Sequence, residues 1–240
     1  MMNARPFFLT LSLRAEHRMA AEIATDEMTP AERRRLKVRD AIIGAAEEIF
    51  AEEGVTGLSM RRIAERIDYS PAALYKYFDS KEALFIEIRE QFFERLLKRL
   101  QEASADVMEG PLLCPACMRA YVETGLEQPA HYKLAFAAAA PADHVKEGTF
   151  AFAAAEHLHQ IIGRSMEMGW FRKVDLGLAA NSVWASSHGL TMLAVSLPDF
   201  PKEKPGREDI SLDDMIDFHA ETIMRGLATD ALLAELNAPE

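Results

Sequence analysis

Cysteine is scarce in this 240-residue sequence: only Cys114 and Cys117 are present, so a disulfide framework cannot hold the fold together. No apolar run approaches the roughly 20 residues that a membrane-spanning helix needs. Alternating runs of Val, Ile and Thr with Asn-Gly turns, which indicate strands, are nearly absent. The nucleophile-elbow, zinc-protease, dinucleotide and Walker motifs of common enzymes are missing as well. The sequence therefore predicts a helical cytoplasmic protein that is not an enzyme.

Basic residues are also in the minority, because 27 Lys and Arg face 38 Asp and Glu, for a net charge of −11. Taken alone, this surplus argues against a nucleic-acid-binding protein. The basic residues are unevenly distributed, however, since residues 31–81 contain ten Lys or Arg and nine Asp or Glu. Five fall within residues 33–39, and Arg61, Arg62 and Arg66 add three more. The sequence therefore predicts a locally basic region on an acidic chain.

Residues 1–30 precede the first helical pattern. A short apolar stretch at residues 6–13 is followed by charged residues and by no small-residue cleavage site. We therefore expect a disordered arm, or a start codon assigned too early with Met19 or Met28 as the true start.

Apolar residues recur at helical spacing from residue 31 onwards. A first helix is predicted over 31–53, with Gly54 as its stop. Short helices over 60–67 and 71–78 follow, the former capped by a serine and the latter opened by a proline. A long helix then begins at Asp79 or Ser80 and runs to about residue 105. The predicted apolar face of the first helix is Leu36, Ile42, Ile43, Ala46, Ile49 and Phe50.

Two short helices joined by a three-residue turn make the helix-turn-helix, predicted here at residues 59–78. Its second helix lies in the major groove of DNA, and its first crosses the backbone. Ala72 and Ala73 are small enough to bring that second helix close to base edges, while Lys76 can reach phosphates. The predicted core of the motif is Met60, Ile63, Ala64, Ile67, Leu74 and Phe78. The predicted DNA-binding residues are Ser59, Arg61, Arg62, Ser70, Pro71, Ala72, Ala73, Tyr75, Lys76, Tyr77 and Lys81.

Three segments of this region, LSMRRIA at 58–64, YSPAALYKYF at 69–78 and SKEAL at 80–84, resemble the DNA-binding domain of the TetR family. The sequence departs from the family pattern at Asp68, where the turn usually has glycine, and at Ala72, where the second helix usually has glycine. Aspartate tolerates left-handed backbone better than most residues, so we expect the turn to persist. The change at Ala72 bears on which bases are read.

The rest of the chain is also predicted to be helical. A Gly-Pro pair at 110–111 separates the long helix before it from the helical segments after it, and the prolines of residues 198–211 indicate a loop. Ser211 caps the last long helix. The predicted helices are 114–128, 129–138, 145–168, 176–197 and 212–227, with a turn at 139–143.

Trp184, His188 and Gly189 resemble the Trp-His-Gly (WHG) subtype of the TetR C-terminal domain. The resemblance implies that helices 176–197 and 212–227 pair with their copies in a homodimer, and small residues in the former suit close helix approach. A dimer is also expected because one short recognition helix makes too few DNA contacts.

The resemblance further implies a pocket for a small-molecule effector. Its predicted ligand-binding residues are Phe136, Phe150, Phe152, Met166, Trp170, Trp184, His188 and Met192, because aromatics and Met line adaptable apolar sites.

Cys114 and Cys117 form a CxxC pair, which occurs in redox and zinc sites. No second ligand pair stands at zinc-finger spacing, and the two cysteines lie at positions i and i+3 on one helix face, as buried core cysteines do. His157 and His159 point to different helix faces. We expect no cofactor and no metal, with a thiol sensor as the alternative interpretation of the pair. His188 is expected to be a core histidine tied to a backbone carbonyl, or else an effector contact.

The sequence therefore predicts an all-α protein in three parts: an arm at 1–30, a helix-turn-helix DNA-binding domain at 31–80 within a family-type domain at about 36–96, and a helical effector-binding and dimerisation domain at 81–240. The predicted function is that of a cytoplasmic, ligand-responsive transcriptional repressor. It would bind palindromic double-stranded operator DNA as a homodimer, without a membrane, and be released by a small, largely apolar effector. The alternative is a DNA-binding regulator without such a ligand, controlled by a partner protein or by thiol redox state.

Overall fold

A computed structural model of the chain describes residues 28–105, 110–137, 146–202 and 210–238. Every regular element within these ranges is an α-helix, which confirms the predicted all-α class. Most of the predicted N-terminal arm and the predicted turn at 139–143 lie outside the described residues. The helices are α1 Pro30–Gly57, α2 Met60–Arg66, α3 Pro71–Leu74, α4 Lys81–Ala105, α5 Leu113–Glu127, α6 Pro129–Ala137, α7 Phe150–Glu167, α8 Leu176–Ser196, α9 Leu212–Leu227 and α10 Asp230–Leu236.

Helix α1 begins with a capping box. The Thr29 hydroxyl accepts from the Glu32 N–H, and the Glu32 carboxylate accepts from the Thr29 N–H at 2.7 Å. At the other end Gly54 has φ +69°, a left-handed conformation that interrupts the regular helix. The helical path therefore breaks at the glycine that the sequence predicted as its stop.

Serine caps define the two short helices of the helix-turn-helix. Ser59 accepts from the Arg62 N–H, and Ser70 accepts from the Ala73 N–H at 3.2 Å. Asp68 between them has φ +57°, the left-handed conformation expected at this turn. The prediction of a helix to residue 78 was wrong in extent, because α3 ends at Leu74 and Tyr75–Tyr77 form a turn. Phe78 still donates its N–H to the Leu74 carbonyl at 3.0 Å, so the segment keeps one helix-like hydrogen bond beyond the end of α3.

Helices α1–α3 and the start of α4 bury one apolar core. We call this unit the head. The predicted core residues of the motif lie in it, with Ile67 half-buried at its edge. Leu36, which the sequence assigned to the apolar face of the first helix, is 41% exposed. That assignment was wrong because the core of the head covers Val38 and Phe50 of α1 but does not reach Leu36 in its N-terminal turns.

Helix α4 connects the head with the remaining helices. Leu84 and Ile88 lie in the core of the head, whereas Phe92, Leu96 and Leu100 lie in a second core with α5, α6 and α7. The predicted boundaries of α5, α6, α8 and α9 agree with the structure within two residues at each end. Helix α7 starts at Phe150, five residues later than predicted, and α10 was not predicted.

Helix α6 also joins the two cores. His131 is buried; its Nε2 donates to the Ile88 carbonyl at 2.8 Å, and its Nδ1 contacts the Glu47 carboxylate of α1. Leu134 packs into the core of the head, and Tyr132 into the second core. One short helix therefore contacts the head on one side and the C-terminal helices on the other.

Helix α8 was predicted to offer small residues to a second subunit. Ala179, Ala180 and Ser187 instead lie buried against the subunit's own helices, while Ser182 and Ala185 are exposed. No described helix is long and apolar enough to cross a membrane.

Candidate nucleic-acid interface and ligand cavity

Helix α3 presents a small exposed surface beside a buried anchor. Leu74 is 0% exposed, whereas Tyr75 is 50% exposed and Pro71, Ala72 and Lys76 are open to solvent. The exposed side chains are small at the N-terminus of the helix, and a phenol and an ammonium lie at its other end. This surface has the size and chemistry to enter a major groove, with small residues near base edges and Tyr75 and Lys76 near the backbone.

Two arginines of α1 hold the turn that follows α3. Arg39 donates to the Tyr77 carbonyl at 2.9 Å and its guanidinium lies 4.4 Å from the centre of the Phe78 ring. Arg35 donates to the Lys76 carbonyl at 3.3 Å. These bonds satisfy backbone carbonyls of the turn between α3 and α4. The sequence showed that basic residues cluster at 33–39 but gave no signal that they support α3.

The arginines of α2 are paired within the head. Arg61 bonds Glu65 at 2.8 Å, Arg62 bonds the Glu53 carboxylate, and Arg66 is 2.7 Å from Glu52. Arg61 is 80% exposed, and an exposed pair of this kind contributes little stability, so Arg61 can exchange its partner for a phosphate. Arg62 also donates to the Gly57 carbonyl and braces the α1–α2 junction.

The predicted DNA-binding residues thus fall into two sets. Ser70, Pro71, Ala72, Tyr75, Lys76 and Arg61 are exposed, and Ala73 is half-buried beside them. Ser59, Arg62, Tyr77 and Lys81 are half-buried parts of the head. The Lys81 ammonium donates to the Leu58 carbonyl at 2.9 Å and lies 5.3 Å from the Phe85 ring centre. Direct DNA contact by each residue stays a prediction.

A cavity of about 240 Å³ lies among α4, α5, α7 and α8. Its wall is mostly apolar, with Cys114 and Cys117 on α5 and Ala154 on α7 among its small residues. Among the lining residues that belong to the described ranges, Arg89 of α4 is the only Lys, Arg, Asp or Glu. The larger apolar and aromatic side chains of the wall are Phe93, Leu96, Leu100, Met118, Tyr121, Leu158, Ile161, Val183 and Trp184.

Trp184 is the only one of the eight predicted ligand-binding residues that lines this cavity. Phe136 and Met192 pack against the second core, and Met166 and Trp170 belong to a third core around α9. Phe150 is 40% exposed and Phe152 is half-buried at the start of α7. The residues that the sequence missed, chiefly those of α4 and α5, follow ordinary helical periodicity, which does not distinguish a cavity wall from a core.

His188 lies behind the cavity in a cluster of aromatic rings. Its ring is 4.5 Å from that of Phe136, centre to centre, and its Nδ1 is 2.6 Å from the Tyr132 hydroxyl oxygen. Burial lowers the pKa of His188 and raises those of Tyr132 and Tyr121, the latter to about 12. A neutral imidazole therefore accepts from a protonated phenol. The partner of His188 is thus a tyrosine hydroxyl, where the sequence predicted a backbone carbonyl.

Cys114 and Cys117 are free and buried. Burial raises the pKa of each thiol to about 12. Among the described residues, no three or more His, Cys, Asp or Glu gather as they would around a metal ion. The cysteine pair therefore has the environment of core thiols, and the same environment works against thiol sensing.

We expect these thiols to be nearly inert in the folded protein. At pH 8 a thiol with a pKa of about 12 holds roughly a thousandfold less thiolate than a free cysteine, whose pKa is about 8.5. Iodoacetamide labelling followed by mass spectrometry should be slow in native buffer and fast in urea, which serves as the control. Equal rates in both conditions would show that the thiols are accessible as thiolates, and the redox alternative would regain support.

Two family models match the chain. Residues 42–88 match the model of the tetR family of bacterial regulatory proteins, and residues 114–218 match the tetracyclin repressor-like C-terminal domain. The HTH-type transcriptional regulator UidR of Escherichia coli strain K12 is 45% identical over 64 residues, which are 27% of this chain and 33% of UidR. The chain thus aligns with about a third of the length of that curated relative.

Solved structures share the fold over most of the chain. A bacterial regulatory protein of the tetR family from Rhodococcus RHA1 superimposes with a TM-score of 0.63 at 21% identity, covering 81% of this chain and 99% of the other. A protein of unknown function from Rhodococcus sp. RHA1 has a TM-score of 0.62 at 25% identity, covering 80% and 95%. The likeness therefore includes the helical C-terminal part as well as the head.

Proposed function

The chain belongs to the TetR family of bacterial transcriptional regulators, and from this premise we propose that it represses transcription as a homodimer that leaves its operator when a small effector binds. The family assignment makes the chain a DNA-binding regulator. The observation that carries the proposal is the exposed surface of α3: Ala72, Tyr75 and Lys76 face solvent while Leu74 is fully buried. A recognition helix needs this division between an anchored face and a free face.

A palindromic operator follows from a two-fold dimer, because each copy of α3 reads one half-site about 34–36 Å from the other. The dimer surface is proposed to lie on α8 and α9. Leu178 of α8 is 72% exposed and Phe218 of α9 is 68% exposed, and large apolar side chains in such positions mark an interaction site. We also propose the WHG subtype for the C-terminal half, since the rings of Trp184 and His188 lie 6.0 Å apart on α8.

The effector is proposed to occupy the cavity among α4, α5, α7 and α8. Helix α4 supports this assignment, because Leu84 and Ile88 lie in the core of the head while Phe93 and Leu96 line the cavity. A ligand that displaces the cavity section of α4 would move the head with it and change the spacing of the two α3 helices. A coupling free energy of about 1–3 kcal/mol gives roughly 5- to 150-fold release.

The proposal is tested by selecting binding sites from a pool of random DNA duplexes. We expect a pseudo-palindromic consensus whose half-sites lie about 10 base pairs apart, centre to centre. Footprinting the protein on its own promoter should protect such a site. A pool that shows no enrichment at low ionic strength would contradict operator recognition.

A separate prediction concerns Lys76. Replacing Lys76 by Ala should weaken binding to all DNA sequences alike and lower the slope of log K against log salt by about 1, because one phosphate contact is lost. Fluorescence anisotropy at several salt concentrations measures both quantities. Lys173→Ala, which removes an exposed lysine far along the chain between α7 and α8, is the matched control and should change neither. An unchanged slope for Lys76→Ala would remove Lys76 from the interface.

A further inference from the structure

Within the part of the chain that the structure describes, the cavity wall contains one Lys, Arg, Asp or Glu side chain, Arg89, and it lacks an ion-pair partner. Arg89 lines the cavity from α4 and is half-buried. Its Nε is buried without a hydrogen-bond partner, and no carboxylate within the described ranges forms an ion pair with its guanidinium. The guanidinium carbon lies 5.6 Å from the centre of the Phe93 ring, which also lines the cavity. A positive charge is thus held against an apolar wall.

Partial burial makes the position of Arg89 less favourable for a positive charge than full exposure to water. Burial lowers its pKa, although the nearby Glu90 acts in the opposite direction. The Glu90 carboxylate is itself engaged, because it accepts the Phe150 N–H at 2.7 Å. An arginine does not escape by losing its proton, so an anion beside the guanidinium would compensate the charge that burial disfavours.

The other polar groups of the wall have partners of their own. His159 donates from Nδ1 to the Ala155 carbonyl at 2.8 Å, and Ser187 donates to the Val183 carbonyl at 3.0 Å. The Tyr121 hydroxyl lies 3.3 Å from Nδ1 of His188. Asn181 is exposed to solvent. Arg89 is therefore the wall group that gains most from a ligand.

We propose that the ligand of this cavity is a small apolar carboxylate whose anionic head pairs with Arg89 while its hydrocarbon body fills the space lined by α5, α7 and α8. This inference rests on the proposed function and specifies its effector. A singly charged head is favoured over a phosphate because Arg89 is the only Lys or Arg that the described part of the chain contributes to the wall. A cavity of about 240 Å³ is near the lower end of the range for ligand pockets, roughly 300–1,000 Å³, so the body is small.

The guanidinium suits this role better than an ammonium would. Its planar fork matches the two oxygens of a carboxylate, and such charge-assisted pairs are stronger in apolar surroundings. The Phe93 ring lies within cation–π distance of the guanidinium and keeps it beside the cavity. The apolar wall provides affinity for the hydrocarbon body of the ligand, and Arg89 provides specificity for a carboxylate as its head group.

The test compares two series of probes by isothermal titration calorimetry: hexanoate, octanoate, decanoate and 4-phenylbutyrate, and the alcohols of the same skeletons. We expect at least one carboxylate to bind the full-length protein and to bind more tightly than its alcohol. Arg89→Met should weaken the carboxylate about 10- to 100-fold, the loss of a charged hydrogen-bonded pair, and leave the alcohol within about twofold. Arg89→Lys keeps the charge and should lose less than Arg89→Met.

Arg95→Met is the matched control, because Arg95 is a second half-buried arginine of α4 whose pKa burial also lowers, yet it does not line the cavity. It should leave carboxylate binding unchanged. The inference is overturned if no carboxylate in the series binds, if the alcohols bind as tightly, or if Arg89→Met binds carboxylates as the natural protein does. Thermal unfolding of each variant establishes that it is folded.

Operator release separates this inference from the proposed function. Carboxylates that bind through Arg89 but leave the operator complex intact would support the ligand assignment and contradict the effector role. Alcohols that release the operator while no carboxylate binds would support the effector role and overturn the inference. DNA binding by the unliganded protein is measured in the same preparation.

Discussion

The substitution Phe218→Glu is expected to leave the protein monomeric and to weaken specific operator binding by about 100-fold or more. In the proposed two-fold dimer each interface residue meets the same surface of the partner, so two carboxylates would be introduced together. Burying unpaired carboxylates costs several kcal/mol, which is comparable to the free energy of a typical interface hot spot. A monomer would keep only one recognition helix, and its affinity would approach non-specific binding.

Sedimentation velocity and fluorescence anisotropy with operator DNA measure the two effects. Because Phe218 is 68% exposed, the subunit itself should fold normally, and circular dichroism checks this. Leu112→Glu is the matched control: Leu112 is 57% exposed but precedes α5, outside the proposed interface, and its substitution should leave the dimer intact. A dimeric Phe218→Glu protein with full operator affinity would place the interface elsewhere.

The substitution Leu74→Ala is expected to lower the free energy of unfolding by about 3 kcal/mol, within the range of about 2–5 for a fully buried leucine. Leu74 is 0% exposed and is the only buried residue of α3, so its removal leaves a cavity under that helix. DNA binding should fall together with stability, since α3 loses its anchor. Urea unfolding at a fixed protein concentration measures the change, because stability depends on concentration in the proposed dimer.

Leu36→Ala provides the comparison within the same unit. Leu36 has the same side chain but is 41% exposed near the start of α1, so its substitution should change stability by no more than about 0.5 kcal/mol. Equal losses for the two variants would mean that Leu74 does not anchor α3 as described. Comparing the two variants therefore separates the stability lost by removing a buried leucine from any effect of shortening a leucine side chain as such.

Local signals in the sequence were sufficient to predict most of the head. Ser59, Asp68 and Gly54 each act within a few residues through a cap or a left-handed turn, and the structure places all three as expected. Leu36 was misassigned because periodicity identifies an apolar face but not how far the covering helices extend. The turn that follows the early end of α3 is held by Arg35 and Arg39 of α1, contacts that adjacent sequence does not encode.

The ligand cavity was harder to predict for a different reason. Phe136 and Met166 were chosen because large flexible or aromatic side chains can line a pocket, yet both pack against other core residues. The wall contains small residues such as Ala154 and Cys117, which leave space rather than fill it. Arg89 looks like any surface residue of a charged helix in the sequence. Only the packing of four helices shows that its side chain lines an apolar space.

The four-residue length of α3 has a consequence for how this protein can change its DNA preference. So short a segment has no stability of its own, because forming a helical turn is unfavourable until several residues follow. Its geometry depends on the burial of its own Leu74 in the head and on Arg35 and Arg39, which hold the turn that follows it. We therefore expect that the proposed recognition helix does not tilt or slide independently and that a peptide copied from it is unstructured. In that proposed role, new operator specificity comes from exchanging the outward side chains of α3 while its supporting contacts stay the same.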